Sequence, residues 1–530
     1  MHEQLPFMLA LVAAIVLIEM LADKLRIAYP ILLVVAGLLI GFIPALPKVQ
    51  IDPNMIFFIF LPPLLFEAAW GISFKEMKRW WRIIGSFAFL VVFFSALAVA
   101  VVANHFIPGF TLALGFLLGG IVSPPDAVST GAIMKFVKIP KSTSAILEGE
   151  SLLNDASSLI IFRFALVAVG TGQFIFQQAI LSFSWMVIGG IAIGLVLGWL
   201  FVKAHKLLPT DATSDIVLTL IEPYFFYWVA EQVHSSGVLA VVSGGLFLAN
   251  RRFTFLTSSS RVRGYNFWEA FIFILNGIVF MLIGLALPGI VDGLRADGIP
   301  LGTAIGYGIL VTVILIAARI ISSYTALVTT LIFRPQVAPF RGRDKASRSR
   351  MLRMPLLLGW TGMRGVVSLA AALAIPITLA DGTPFPHRNL ILFITFVVIL
   401  LTLLLQGLTL PHLIKRSGLF EFTAELPEEE LKLKVKNYLV VETVRLLKEK
   451  QEEGFLDDPH LQRMIEQWEH KITHPEHLRM SEQSKQNYLQ LLENQRRFLT
   501  ELNKDPELDD ETIHLQIFQI DLEEERIRML

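Results

Sequence analysis

Read for its hydrophobic and polar positions, the chain is a succession of long apolar runs cut by short polar connectors. Thirteen runs stand out, near 7–23, 29–45, 54–71, 82–104, 109–134, 145–169, 180–202, 213–232, 236–250, 265–287, 300–331, 355–380 and 389–414. Apolar runs of about 20 residues cross the hydrocarbon layer as helices, whereas membrane strands alternate over about ten. The pattern therefore predicts an all-α integral membrane protein with about 13 transmembrane helices. The run at 236–250 is short, so twelve stays open. Beyond residue 415 the period changes. Leu431, Val435, Leu439 and Val440, then Leu446 and Leu447, predict an amphipathic helix after Pro427. Further helices are expected at 461–468, 483–503 and 511–528, punctuated by Pro459, Pro475 and Pro506. The expected division is a transmembrane domain at 1–415 and a small soluble helical domain at 416–530.

The connectors orient the chain. The odd-numbered loops carry 22 lysines and arginines, among them Lys75, Lys78, Arg79 and Arg82, then Arg251, Arg252, Arg261 and Arg263. The even-numbered loops carry few, including Arg295 and Arg388. Cytoplasmic loops hold the basic excess. The N-terminus is thus expected outside and the C-terminal domain in the cytoplasm.

Two runs are interrupted. The fifth contains Gly119-Gly-Ile-Val-Ser-Pro-Pro-Asp126, where Ser123 precedes the adjacent Pro124 and Pro125. The twelfth contains Gly359-Trp-Thr-Gly-Met-Arg-Gly365, with Gly362, Arg364 and Gly365 at membrane depth. Proline removes a donor and breaks the helical ladder. Freed backbone survives in lipid only where protein or water satisfies it. The topology makes these two runs antiparallel. Matched breaks in halves of opposite topology predict inverted repeats with two broken crossing helices, as in secondary transporters. Ordinary kinks are the alternative.

The sixth run carries the candidate chemistry: Glu150-Ser-Leu-Leu-Asn-Asp-Ala-Ser-Ser158. Ser151, Asp155 and Ser158 share one helix face, with Glu150 and Asn154 on the neighbouring one. Ionisable side chains in a membrane core are costly and usually line a polar path, so a cation or proton site is expected; helix–helix glue is the alternative. The half-helix beginning near Asp126 offers its positive end to that carboxylate. Arg364 at membrane depth needs a partner, and Glu150 is the candidate. Arg163 could pair with a carboxylate in the core, Arg319 is expected to brace the scaffold or snorkel, and Glu19, Glu67, Glu222 and Glu269 are ambiguous. His205 and His234 fall in predicted loops and look unremarkable.

Composition agrees. Of 530 residues, 54% are hydrophobic and 17% charged, below the quarter or so usual for soluble domains. Net charge is zero, but residues 421–530 hold 26 of the 45 acidic and only 15 of the 45 basic side chains, so the C-terminal domain is acidic and the membrane domain basic. With no cysteine, disulfides and thiol chemistry are excluded. The first run lacks a basic n-region and a cleavage site, so no cleavable signal peptide is expected. No Walker A sequence, His-Glu-x-x-His, nucleophile elbow or potassium-filter sequence occurs. An enzyme, an ATP-driven pump, a cofactor or a nucleic-acid partner is therefore not expected.

These residues resemble the sodium/proton exchangers of the monovalent cation:proton antiporter-1 family. The resemblance covers about residues 1–415. It is strongest in Phe57-Phe-Ile-Phe-Leu-Pro-Pro-Leu-Leu-Phe-Glu67, Ser123-Pro-Pro-Asp-Ala-Val128, Gly149-Glu-Ser-Leu-Leu-Asn-Asp155 and Gly362-Met-Arg-Gly-Val-Val-Ser368. The C-terminal domain looks like the helical extension of bacterial members. The resemblance implies a plasma-membrane homodimer in which Asp155 carries Na⁺ and H⁺ in turn. Asn154 is similar to the partner residue, Ser151 to a coordinating serine, and Glu150 with Arg364 to the structural ion pair. Asp126 matches the aspartate of the usual Thr-Asp-Pro, but Pro125 and Ala127 replace its neighbours. A threonine ligand is thus missing, leaving Ser123 or a freed carbonyl as its substitute.

A single titrating aspartate beside a neutral asparagine implies one cation for one proton. The expected function is therefore electroneutral Na⁺/H⁺ antiport by alternating access, with Li⁺ or K⁺ as other cations and membrane lipid around the protein. A sodium-coupled symporter of an organic anion on a related fold is the alternative, and a membrane sensor a third.

Overall fold

A computed structural model describes residues 4–43, 53–134, 141–172, 176–333, 345–379, 381–417, 428–452, 466, 482–502 and 510–528. The chain separates into two compact units, Met1–Phe422 and Thr423–Leu530. The described residues contain helices and one isolated bridge, Thr378 with Pro384.

The first unit opens with α1 (Gln4–Leu25), α2 (Tyr29–Gly41) and α3 (Pro53–Gly71). Helix α4 (Phe74–Gly85) passes through a π-helical stretch, Ser86–Val91, into α5 (Val92–Phe106). Then come α6 (Leu112–Val122) and α7 (Ala127–Met134), α8 (Lys141–Thr171), α9 (Phe176–Leu207), α10 (Ala212–Gln232), α11 (Gly237–Phe255), α12 (Ser258–Ala296) and α13 (Leu301–Phe333). The pair α14 (Lys345–Trp360) and α15 (Val366–Leu373) precedes α16 (Arg388–Leu401), which runs through a second π stretch, Thr402–Gln406, into α17 (Gly407–Ser417). With continuous and broken pairs joined, the described part of each apolar run falls mainly on helix. Seven described helices are long and apolar enough to cross a membrane, and Tyr29–Gly41, Phe58–Gly71 and Leu112–Val122 are shorter apolar helices.

Local sequence sets the ends. Thr111, Asp211, Ser236 and Thr257 cap α6, α10, α11 and α12 by accepting from backbone N–H groups three residues on. Helix α6 stops before Pro124–Pro125, and α14 stops at the glycine-rich Thr361–Gly365 segment. Close packing depends on small residues. A Cβ on Gly115 or Gly119 of α6 would sit 2.6 or 2.5 Å from the Ala100 or Ala96 carbonyl of α5.

Two large hydrophobic cores result, with a smaller cluster of Phe87, Val91, Leu147 and Leu358 beside them. One gathers side chains such as Val34, Leu117, Phe280, Leu315, Leu369 and Phe396; the other gathers Phe66, Leu197, Phe226 and Leu239. Helix α8 serves both, with Phe162 and Ala165 in the first and Leu152 and Ala156 in the second.

In the second unit, α18 (Glu428–Glu452), α19 (Glu482–Leu502) and α20 (Asp510–Arg528) are described. Arg496 of α19 reaches Asp521 of α20 at 2.7 Å, and Leu492 and Ile527 are buried. Of the helix expected at 461–468, all but residue 466 lies outside the described residues.

Candidate ion-binding site

The two helix breaks lie against each other. The Asp126 amide donates to the Met363 carbonyl at 2.7 Å. Thr130 Oγ1 donates to the Asp126 carbonyl at 3.0 Å and lies 3.5 Å from the Thr361 carbonyl. Asp126 also caps α7: its Oδ2 accepts from the Ser129 amide at 2.9 Å and from the Ser129 hydroxyl. Nothing larger than hydrogen fits at Gly365, where a Cβ would stand 2.6 Å from Asp126 Cγ.

Arg364 crosses between the breaks. It is fully buried; its Nε donates to the Val122 carbonyl at 2.8 Å, Nη2 to the Ser123 carbonyl at 3.3 Å, and Nη1 to the Gly362 carbonyl. These are carbonyls that interrupted helices leave without intrahelical donors. Its amide donates to Thr402 Oγ1 at 3.1 Å, where the second π stretch begins.

The expected pair of Glu150 with Arg364 is therefore corrected. Glu150 pairs with Arg319 of α13, Nη1 to Oε1 at 2.7 Å and Nη2 to Oε2 at 2.9 Å. The reason is donor allocation. Arg364 spends its fork on freed carbonyls, while Arg319 gives the carboxylate one hydrogen bond, to Oε2, and a close ionic contact at Oε1. Arg319 does not snorkel: it is 1% exposed, and its Nε donates to the Leu358 carbonyl at 3.3 Å.

Helix α8 brings the predicted polar face to the break. Ser151 Oγ and Asn154 Nδ2 donate to the Pro125 carbonyl at 3.4 and 3.2 Å. Ser157 donates to the Ala88 carbonyl in the first π stretch, and Ser158 closes on the Asp155 carbonyl at 3.0 Å. Asp155 is 9% exposed, and its carboxylate takes no hydrogen bond from the described residues. Asn154 Oδ1 and Ser123 Oγ are buried without hydrogen-bond partners among the described residues.

A cavity of about 20 Å³ opens here, lined by Pro125, Asp126, Thr130, Leu147, Glu148, Glu150, Ser151, Arg319 and Thr361. That is room for about one water or one bare ion. Asp126, Ser151, Glu150 and Pro125 are thus brought together. Asp155, Asn154, Ser123, Pro124, Gly362, Arg364 and Gly365 do not line the cavity. Asp155 sits one turn beyond Ser151 on α8.

Sequence reasoning missed Thr130 and Thr361, two hydroxyl-bearing residues at the breaks. Thr130 follows Asp126 by four residues, and Asp126-x-x-Ser129 is a capping pattern; both signals were legible. Arg163 does find a carboxylate: it meets Glu231 of α10 at 2.7 Å. His205 needs correction. It lies within α9, not in a loop, fully buried between Asp215 and Glu222.

The family model described as "Sodium/hydrogen exchanger, transmembrane" matches residues 8–416. The chain is 33% identical over 428 residues to an uncharacterized Na(+)/H(+) exchanger of Mycobacterium tuberculosis, covering 80% of this chain and 76% of the relative. It is 33% identical to the sodium, potassium, lithium and rubidium/H(+) antiporter of Bacillus subtilis, covering 73% of this chain and 58% of that protein. Among solved structures, the sodium proton antiporter MjNhaP1 of Methanocaldococcus jannaschii at pH 8 has the same fold. Its TM-score is 0.59 at 19% identity, covering 78% of this chain and 98% of the other.

Proposed function

The chain belongs to the sodium/hydrogen exchanger family, and on that premise we propose that it exchanges Na⁺ for H⁺ electroneutrally, with cation and proton competing for Asp155. Cation/proton antiport is what the family does; the stoichiometry, the acid and the cation are the reading offered here. One observation carries it. Asp155 is a buried carboxylate without a donor among the described residues, on the helix that also presents Ser151 to a cavity of about 20 Å³. Such a group is stable only when something from outside neutralises it.

The neighbouring acids have fixed partners. Glu150 is neutralised by Arg319, and Asp126 is anchored by Ser129. On this reading Asp155 alone alternates between a proton and a cation, one for one, while Asp126 stays a fixed ligand. Hard oxygens on Ser151, Thr130 and Asp126 suit an alkali cation. Alternating access then requires that the protein move only when Asp155 is neutral. Antiport by the B. subtilis relative of sodium, potassium, lithium and rubidium supports a broad choice of cation. The loop charges support an external N-terminus and a cytoplasmic C-terminal unit; a homodimer rests on the family resemblance. The organic-anion symporter fares worse, because the cavity would hold an ion but not an organic solute.

Everted vesicles loaded with acid test the reading. Adding Na⁺, Li⁺ or K⁺ separately should collapse the pH gradient, and Asp155→Asn should abolish the collapse with normal insertion. In proteoliposomes an imposed membrane potential should leave the rate unchanged; a strong voltage dependence excludes one-for-one exchange.

A further inference from the structure

A second group of buried ionisable side chains lies outside the crevice. His205, near the end of α9, has its ring fully buried. Its Nδ1 is 2.8 Å from Asp215 Oδ1 and its Nε2 is 3.0 Å from Glu222 Oε1. Asp215 and Glu222 are two turns apart on one face of α10. Ser260, in the first turn of α12, donates to Asp215 Oδ2 at 2.7 Å.

Proton counting follows from these distances. A neutral imidazole has one N–H and one lone pair. It can donate to one carboxylate, but toward an ionised second carboxylate it would direct a lone pair at an oxygen lone pair. Both contacts are at hydrogen-bonding distance, so both carry a proton. We propose that His205, Asp215 and Glu222 form a second proton-binding site, separate from the crevice acids, in which an imidazolium between two carboxylates locks the end of α9 to α10. Loss of that proton breaks one of the two ties.

Among the described residues, this proton has no other ionic partner. Helix α11 contributes the Phe255 ring, 5.0 Å from the imidazole, and α12 the Ser260 hydroxyl. Lys206, adjacent on α9, is exposed; Lys203 lies over Trp199; Arg252 donates to the Trp70 carbonyl and Arg261 to the Leu256 carbonyl. Arg263 of α12 bears electrostatically on Asp211, not on this group. Glu222 Oε2 has no hydrogen-bond partner among the described residues. The consequence reaches α8, because Leu152 and Ala156 pack into the same hydrophobic core as Val202 of α9 and Phe226 of α10. The seat of the Asp155 helix therefore depends on a proton that is not transported.

The sequence supplies a selective probe. Ala204–His205 is the only Ala–His step in the chain, so carbonyl-¹³C alanine with ¹⁵N,¹³C-histidine isolates this imidazole in the unmodified protein in bilayers. Both ring nitrogens should be protonated at about pH 8, where a free histidine is neutral, and equally so in Asp155→Asn. A bare ring nitrogen at that pH overturns the proposal. In proteoliposomes, His205→Gln and Glu222→Gln should each move the alkaline limb of the exchange profile by about one pH unit or more, with the cation KM unchanged. A profile superimposable on the parent, or a uniform loss at every pH, overturns it as well.

Discussion

Asp155 and Glu222 are both buried carboxylates on helices of the membrane unit, α8 and α10, yet their surroundings differ. Glu222 is met by His205, which also meets Asp215, and Asp215 is met by Ser260. Asp155 is met by no donor among the described residues, and a cavity opens one turn away, at Ser151. A buried charge must be compensated. Where the protein supplies the compensation, the acid becomes a fixture that ties helices together. Where the protein withholds it, the counter-charge has to come from solution and can leave again. Between these limits stand Asp126, anchored by Ser129 but still lining the cavity, and Glu150, ion-paired with Arg319 and lining the cavity too.

The contrast breaks most directly at its two poles. Asp155→Asn should reduce exchange to background, whereas Glu222→Gln should retain exchange near neutral pH; loss in both would erase the distinction. Next in size is the fixed pair. Arg319→Gln leaves Glu150 buried and unpaired, at a cost of about 3–5 kcal/mol, so the folded yield and melting temperature should fall. Glu150→Gln combined with Arg319→Gln should recover much of that loss in the same melting experiment. Gly365→Ala forces Asp126 away from the break and should lower exchange by ~10-fold, measured as initial rate at saturating cation. Ser129→Ala removes one hydrogen bond from Asp126, worth about 1 kcal/mol, and should change cation KM by roughly fivefold without abolishing turnover.

The smallest effect belongs to an acid outside both regions. Asp211, exposed at the start of α10, is held below the usual carboxylate range by the Ser214 hydrogen bonds that make it a cap. A lowered value means that its contribution is complete above the unfolded pKa and is lost only as pH falls through the folded one. Asp211→Ala should thus leave the pH profile of exchange unchanged between neutral and alkaline pH.

How much of this was legible can be judged residue by residue. The apolar runs located the helical rods, because in lipid a spanning segment must satisfy its own backbone and only a long apolar helix does so. Pro124–Pro125 and Gly362–Gly365 located the breaks for the converse reason. The polar face of α8 was readable from helical spacing, and Ser151 and Asn154 do turn to the break. Partner choice was not readable. Arg319 and Arg364 are both buried guanidiniums near Glu150 in chain logic, and nothing in one dimension says which will spend its donors on carbonyls. His205 was misread because its helix outlasts the apolar run that marks it, and because a histidine followed by lysine looks solvated until α10 folds two acids onto it.

By itself, then, the order of residues determined the all-helical membrane architecture, the places where two helices must stop, and the few acids that have no business in an apolar rod. Those are local consequences of backbone hydrogen bonding and side-chain transfer, decided within a turn or two of chain. Only the tertiary structure decided which charges neutralise each other, which carbonyls the arginines answer, and which buried acid has no donor among the described residues. Such pairings join residues as far apart as Glu150 and Arg319, and they depend on where helices cross, a matter of packing that no stretch of sequence contains.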